Sequence, residues 1–301
     1  MYYKHSGRFS LGGVLIAAIV GGAGSLILAY VYAWGIILIP EVHLAAFATV
    51  AFGGLIGVAA GYGLVWGKVR NDAAGLSLTG VISALTLYVC WAMWVPFVLD
   101  SQHVKHISWT RLAQHPRALW HLIGLINQYG TWGLSSGSAT NGWALWGIWA
   151  LETVIVIGVA LFAGIGVLNH RPFCEACERW CTRGAKVLLT APANVAQLKQ
   201  QLEANDLKPL ESLGAANKGA SHLSIVLDSC EQCRQFHSMS VTHVMVGRTK
   251  AGKPTVSNKM IVQHLVIDAG KAETLRQLSD KLAQAAKLAP PKASAAAAGK
   301  K

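Results

Sequence analysis

Four stretches of this sequence are too long, too apolar and too poor in charge for an ordinary soluble core. Leu11 to Pro40, Val42 to Gly67 and Ala73 to Leu99 contain no Asp, Glu, Lys or Arg, and Trp143 to Leu168 contains only Glu152. About 20 consecutive apolar residues cross the roughly 30 Å of bilayer hydrocarbon as a helix. A buried core helix competes as a reading of one such run, but not of four in succession. The chain is therefore expected to be an α-helical polytopic membrane bundle with spans at about 11–39, 43–67, 73–99 and 143–168. Lys4 and Arg8 precede the first run as they would in a secretory signal, but the run is nearly twice the length of a signal's apolar region, which makes it a retained span.

Charge divides the sequence. Seven Lys/Arg and four Asp/Glu precede Asn169, a net of +3, whereas nineteen and ten follow from there, a net of +9. This shift predicts a membrane domain over 1–168, a soluble α+β domain over 169–289, and a basic, low-complexity tail over 290–301 that lacks apolar anchors and is expected to be disordered.

The positions of Lys and Arg in short flanking segments set orientation. With four spans and both ends inside, Lys4, Arg8, Lys68, Arg70, Arg171, Arg179, Arg183 and Lys186 lie inside, and Lys105, Arg111 and Arg117 outside. The stretch 107–135 complicates this, because Leu119–Leu134 is uncharged and could form a fifth crossing. It is short and carries His121, Asn127 and Gln128, and its Leu119, Leu122, Ile123 and Ile126 share one helical face. An interfacial or re-entrant segment fits it better. Either arrangement leaves the C-terminal domain cytoplasmic. The expected location is the inner (plasma) membrane of a bacterium, with both termini in the cytoplasm.

Within the membrane part, Gly53, Gly57 and Gly61 recur every fourth residue and form a smooth stripe that lets another backbone approach. Packing inside the bundle is the simpler use, with Ala17 and Gly21 as a conceivable facing stripe, and a homo-oligomer contact is the alternative. Most of the eleven tryptophans fall near span ends, where indoles favour the headgroup level. Glu152 lies about nine residues into its span, too deep to be interfacial. It is either a proton or cation site, or a helix-pinning acid with Tyr88 or Thr86 as partner. Cys90 reads as a small apolar residue of the third span.

The remaining five cysteines lie in the soluble part. Cys174 and Cys177 form one C-x-x-C pair, and Cys230 and Cys233 another. Such a pair lets two thiolates of one knuckle reach a single ion, and two pairs complete a tetrahedral four-sulfur site, for which zinc is the expected cofactor. The reducing cytoplasm disfavours structural disulfides. The knuckles are about fifty residues apart, longer than the common ribbon spacing, so an insertion is required. Asn194–Ala204 reads as a capped amphipathic helix within it, Leu223–Leu227 as a strand entering the second knuckle, Ser238–Val246 as its hairpin partner with Met239, Val241, His243 and Met245 on one side, and Lys259–Ile267 as a third strand. Ala272–Leu288 reads as a closing amphipathic helix. The knuckles and the adjacent hairpin resemble a zinc ribbon, and the resemblance extends no further along the chain. Cys181, one helical turn beyond Cys177 if that segment is helical, is an alternative ligand, a redox-sensitive thiol or a buried residue. His170 and His237 read as surface or supporting histidines rather than ligands.

Four sulfurs close the coordination shell, which disfavours hydrolysis, and the sequence holds no Walker or dinucleotide glycine motif. The leading expectation is a non-enzymatic, membrane-anchored zinc-binding module, a scaffold or adaptor that presents a cytoplasmic protein-interaction domain. Alternatives are a small transporter or channel using Glu152, and a membrane thiol sensor using Cys181. Expected partners are the bilayer, a protein at the cytoplasmic face, anionic lipid for the basic C-terminal region and a second copy of the chain. Nucleic acid ranks below these, because the basic residues are scattered without an aromatic-interleaved patch.

Overall fold

A computed structural model describes residues 1–39, 42–101, 107–131, 140–216, 219–248 and 253–288. The Pro40–Glu41 turn, Trp132 and the end of the 107–135 segment, and the tail over 290–301 lie outside the described residues. The chain forms two compact units. One is His5–His170, and the other runs from Arg171 onward and includes Met1–Lys4.

The first unit is helical: α1 (Leu11–Gly35, continued by a short 3-10 turn over Ile36–Leu38), α2 (Val42–Trp66), α3 (Asp72–Ser101), α4 (Trp109–Gln114), α5 (Pro116–Tyr129) and α6 (Gly142–Leu168). Ser10 starts α1 by accepting the Gly13 N–H on its side chain at 3.0 Å. Four helices, those containing Leu11–Leu38, His43–Trp66, Asp72–Leu99 and Gly142–Leu168, are long and apolar enough to cross a membrane. Small residues face inward and large apolar ones outward. The buried face of α1 is Gly13, Ala17, Gly21, Ser25, Ala29 and Ala33, while Leu15, Ile19, Ile27 and Val31 are exposed.

Helix α2 carries two stripes of small residues. Gly53 and Gly57 lie against the backbone of Val156 and Ala160 in α6, and Gly61 against Val167 and Gly164. A Cβ at Gly53 would stand 2.7 Å from the Val156 carbonyl, so only glycine permits this approach. On another face, Gly63 and Gly67 meet Ala17 and Gly13 of α1. The Gly53/Gly57/Gly61 stripe is thus occupied within the chain. Ala17 and Gly21 do pair with α2, but through Ala60, Gly63 and Gly67.

Helix α5 has 14 residues, about 21 Å at 1.5 Å per residue, too short to cross. Its apolar face is turned into the bundle: Leu119, Ile123 and Ile126 are buried with Ala92, Val95, Leu145 and Trp149. That face therefore packs on protein rather than lying on a lipid surface as its pattern alone allows.

The second unit contains β1 (Phe173–Cys174), β2 (Arg179–Trp180), β3 (Thr182–Thr190), α7 (Val195–Glu203), α8 (Lys208–Glu211), β4 (His222–Ser229), β5 (His237–Arg248), β6 (Pro254–Ile267) and α9 (Ala269–Leu288). β1 and β2 form a minimal hairpin, and β3-β4-β5-β6 form an antiparallel sheet in that order. Leu223, Ile225 and Leu227 alternate into the core, where they meet Met239 and Val241 of β5, Val262 and Leu265 of β6, Leu198 and Leu202 of α7, and Leu275 of α9. Asn194 caps α7 by accepting the Gln197 N–H at 3.0 Å. The expected inward face of β5 holds only in part: Met239 and Val241 are buried, but His243 is half-buried and Met245 exposed. The reason is register. β4 stops pairing with β5 at Val244, so Met245–Arg248 pairs with β6 alone and projects as a two-stranded ribbon.

Two features were not anticipated. β3 follows Cys181 directly, so the segment around Cys181 is extended and not a helical turn. The N-terminus joins the sheet at the free edge of β6: Tyr2 bridges Leu265, the Tyr3 N–H donates to the His264 carbonyl and the Val266 N–H to the Met1 carbonyl, both at 2.9 Å. An added strand removes an unpaired sheet edge.

Candidate metal centre

Each cysteine pair sits at the tip of a hairpin. In the first, Phe173 pairs with Trp180 and Cys174 with Arg179, and the Phe173 and Trp180 rings meet edge to face at 5.1 Å. In the second, the β4–β5 hairpin closes at Ser229 and His237, the Cys230 N–H donates to the Phe236 carbonyl and the Arg234 N–H to the Cys230 carbonyl, both at 3.0 Å. The two turns share a backbone device. Glu178 and Arg234 each follow the second cysteine of a pair, and both adopt the left-handed conformation, with φ of 50° and 54°. This bend folds the chain back so that both thiols of a pair point the same way.

The hairpins bring Cys174, Cys177, Cys230 and Cys233 together with all four Sγ atoms within 4.8 Å of one another. Cys174 and Cys233 are 3.7 Å apart, and no cysteine is in a disulfide. Zinc–sulfur bonds of about 2.3 Å in a tetrahedron place sulfurs roughly 3.8 Å apart, so the cluster has the donor type, number and spacing to hold one metal ion.

The electrostatics are uneven. The Cys233 thiol is held down to about 6, chiefly by the backbone N–H of Gln235, with that of Phe236 adding to it. Burial pushes the Cys177 thiol up to about 12, and hydrogen bonds with Cys233 and its other sulfur neighbours push the same way. Cys174 is also pushed up by burial, against the Cys177 N–H that it accepts. Four crowded sulfurs resist simultaneous ionisation unless a cation lies among them.

Cys181 is buried beside Cys174 and Cys230, with its N–H donating to the Pro172 carbonyl at 2.9 Å. It is not one of the four mutually close sulfurs. Burial, then the neighbouring Cys230 and Cys174, push its thiol to about 12. His237 is buried, with Nδ1 against Ser229 Oγ at 2.9 Å and Nε2 against the Arg234 carbonyl at 2.8 Å, so its ring braces the second turn. Arg276 donates to the same Ser229 hydroxyl at 3.2 Å.

Tyr3 is the supporting residue that the sequence did not reveal. Its hydroxyl accepts the Phe173 N–H at 3.0 Å, beside the first pair, and its ring meets Phe236 at 5.6 Å, beside the second. One N-terminal side chain thus touches both knuckles. The available signal was two tyrosines in an otherwise polar leader, which is weak.

The helical unit holds the other predicted site residues. Glu152 is half-buried on α6. Neither anticipated partner bonds it: Tyr88 donates to the Ala113 carbonyl and Thr86 to the Ile82 carbonyl, both at 2.7 Å. Cys90 is buried in the bundle core. The tryptophans divide into two groups. Trp34, Trp66, Trp109, Trp120 and Trp143 are exposed, whereas the half-buried Trp91, Trp94 and Trp146 and the buried Trp149 pack on one another with centroids 5.0 to 6.2 Å apart.

No protein-family profile, curated protein or solved structure matches this chain.

Proposed function

We propose that the chain is a membrane-anchored adaptor whose four spans hold a zinc-stabilised α+β domain at the cytoplasmic face for docking of a protein partner. The observation that carries this reading is the convergence of four thiols from two knuckles to within 4.8 Å. Cys174, Cys177, Cys230 and Cys233 would hold the ion, and bound zinc would tie two hairpins that are far apart in sequence into one fold. Hard cations prefer oxygen donors, whereas thiolates suit zinc.

The membrane reading is supported by the inverted packing of the helical unit. Phe162, Phe47 and Ile27 are 81%, 75% and 68% exposed, and α1 turns its Gly, Ala and Ser inward, an arrangement that water penalises and lipid does not. The Lys/Arg distribution favours a cytoplasmic placement of the C-terminal domain. The partner-binding element is the projecting β5–β6 ribbon. It exposes Met245 and Val256 beside Arg248.

Elemental analysis of the detergent-purified full chain, together with limited proteolysis, tests the proposal. About one zinc per chain is expected. Cys174→Ser and Cys230→Ser should lose it and become protease-sensitive after Leu168. Full protease resistance without metal would sink the reading. The low-lying Cys233 thiol also suits a redox role. That role predicts reversible Cys174–Cys233 crosslinking in the metal-free chain, and failure to form the crosslink at cytosolic potentials rules it out.

A further inference from the structure

Between α3, α5 and α6 lies a cavity of about 710 Å³, within the range that encloses small ligands. Its walls are aromatic. Tyr88 and Trp91 come from α3, Trp120 from α5, and Trp146 and Trp149 from α6. Trp149 meets Trp91 and Trp146 edge to face at 5.0 and 5.3 Å, and Trp120 leans on Trp146 at 5.1 Å, so each ring is held by another.

Both hydroxyls of this wall are engaged within the protein. The Tyr88 hydroxyl donates to the Ala113 carbonyl at 2.7 Å and the Thr153 hydroxyl to the Trp149 carbonyl at 2.9 Å. Among the described lining residues the one charged group is Arg117, exposed in the first turn of α5, where the helix dipole adds to its positive potential. Among the described residues no carboxylate lines the cavity. An apolar, aromatic chamber with one cation at its rim complements a molecule with an apolar body and one anionic end.

We propose that this cavity holds an anionic phospholipid of the surrounding bilayer, with its acyl chain against Trp91, Trp146 and Trp149 and its phosphate on the Arg117 guanidinium. The arginine fork matches phosphate oxygens, and the engaged Tyr88 and Thr153 hydroxyls leave little for a neutral polar headgroup. The inference rests on the membrane reading and is independent of the cysteines. The lipid would brace the short α5 helix against α3 and α6.

The test is lipid retention by the full chain. The protein is reconstituted in equimolar phosphatidylglycerol and phosphatidylcholine with identical acyl chains, released into mild detergent, and its bound lipids are counted by native mass spectrometry. One cationic side chain near a lipid surface contributes a preference of about five-fold for phosphatidylglycerol. Arg117→Gln should retain both lipids equally, Arg117→Lys should keep most of the preference, and Arg111→Gln, outside the cavity, should leave it unchanged. Ala150→Trp, which fills the chamber, should abolish retention of both. Equal retention by the unaltered chain, retention of neither lipid, or a preference that survives Arg117→Gln overturns the proposal. The membrane reading fails on a different result, namely extraction of the chain from membranes by alkaline carbonate.

Discussion

Glu178 and Arg234 occupy the same place in the two knuckles and share a backbone conformation that costs an L-residue about 1–2 kcal/mol. Glycine would relieve that cost but would lose more freedom on folding, by about 0.4–1 kcal/mol. Glu178→Gly and Arg234→Gly are therefore expected to melt at or slightly above the temperature of the unaltered chain, whereas Arg234→Val should melt below it, because a β-branched side chain tolerates φ > 0 less well than arginine does. Equal tolerance of valine and glycine in thermal unfolding would show that the turn is not built as described. A second prediction concerns protons. Burial keeps the Cys174 and Cys177 thiols above neutrality, and the Gln235 N–H keeps Cys233 below it. Metal ligands bind as thiolates, so zinc uptake at pH 7 should release protons from Cys174 and Cys177, and little from Cys233. Raised thiol values favour the protonated, metal-free form, so affinity should weaken as pH falls. Calorimetry in buffers of differing ionisation enthalpy reads the release, and heats independent of the buffer would contradict it.

At the scale of elements, glycine positions separate packing from bystanders. A Cβ at Gly57 would overlap the backbone of Ala160 and lie 2.8 Å from the Ala163 Cβ, while nothing lies within 4 Å of one at Gly158. Gly57→Ala should destabilise the detergent-solubilised chain by about 1–3 kcal/mol, and Gly158→Ala by less than about 0.5 kcal/mol, without a change in oligomeric state from either. The N-terminal strand makes a comparable prediction. Tyr3→Phe keeps the ring against Phe236 but loses the acceptor for the Phe173 N–H, and Tyr3→Ala loses both. Metal release to a chelator should be faster in Tyr3→Phe and faster still in Tyr3→Ala. These elements also mark what was legible in the sequence. The four long helices, the capped α7, and β4 to β6 all carry local periodicity, and the C-x-x-C spacing identified the donors that the fold gathers. An amphipathic pattern shows that α5 has a covered side but not what covers it, and a glycine stripe shows close approach but not the partner. Edge pairing of Met1–Tyr3 with β6 and the position of β3 depend on residues far away in sequence, so no local signal reports them.

The whole molecule consists of a helical unit with large apolar residues on its outside and a domain that gathers four thiols and pairs its sheet edge with its own N-terminus. Most polar chemistry lies in the domain, while the helical unit contributes the half-buried Glu152, the aromatic chamber and the anchor. Domain and anchor make separable predictions, because metal loss should unfold the first and leave the second embedded. The most direct measurement is metal content by elemental analysis of the purified full chain and of its Cys174→Ser, Cys230→Ser and Cys181→Ser variants. About one zinc per chain is expected in the unaltered protein and in Cys181→Ser, with almost none in the other two. A metal-free protein, an iron–sulfur chromophore, or zinc retained without Cys174 and Cys230 would contradict the account.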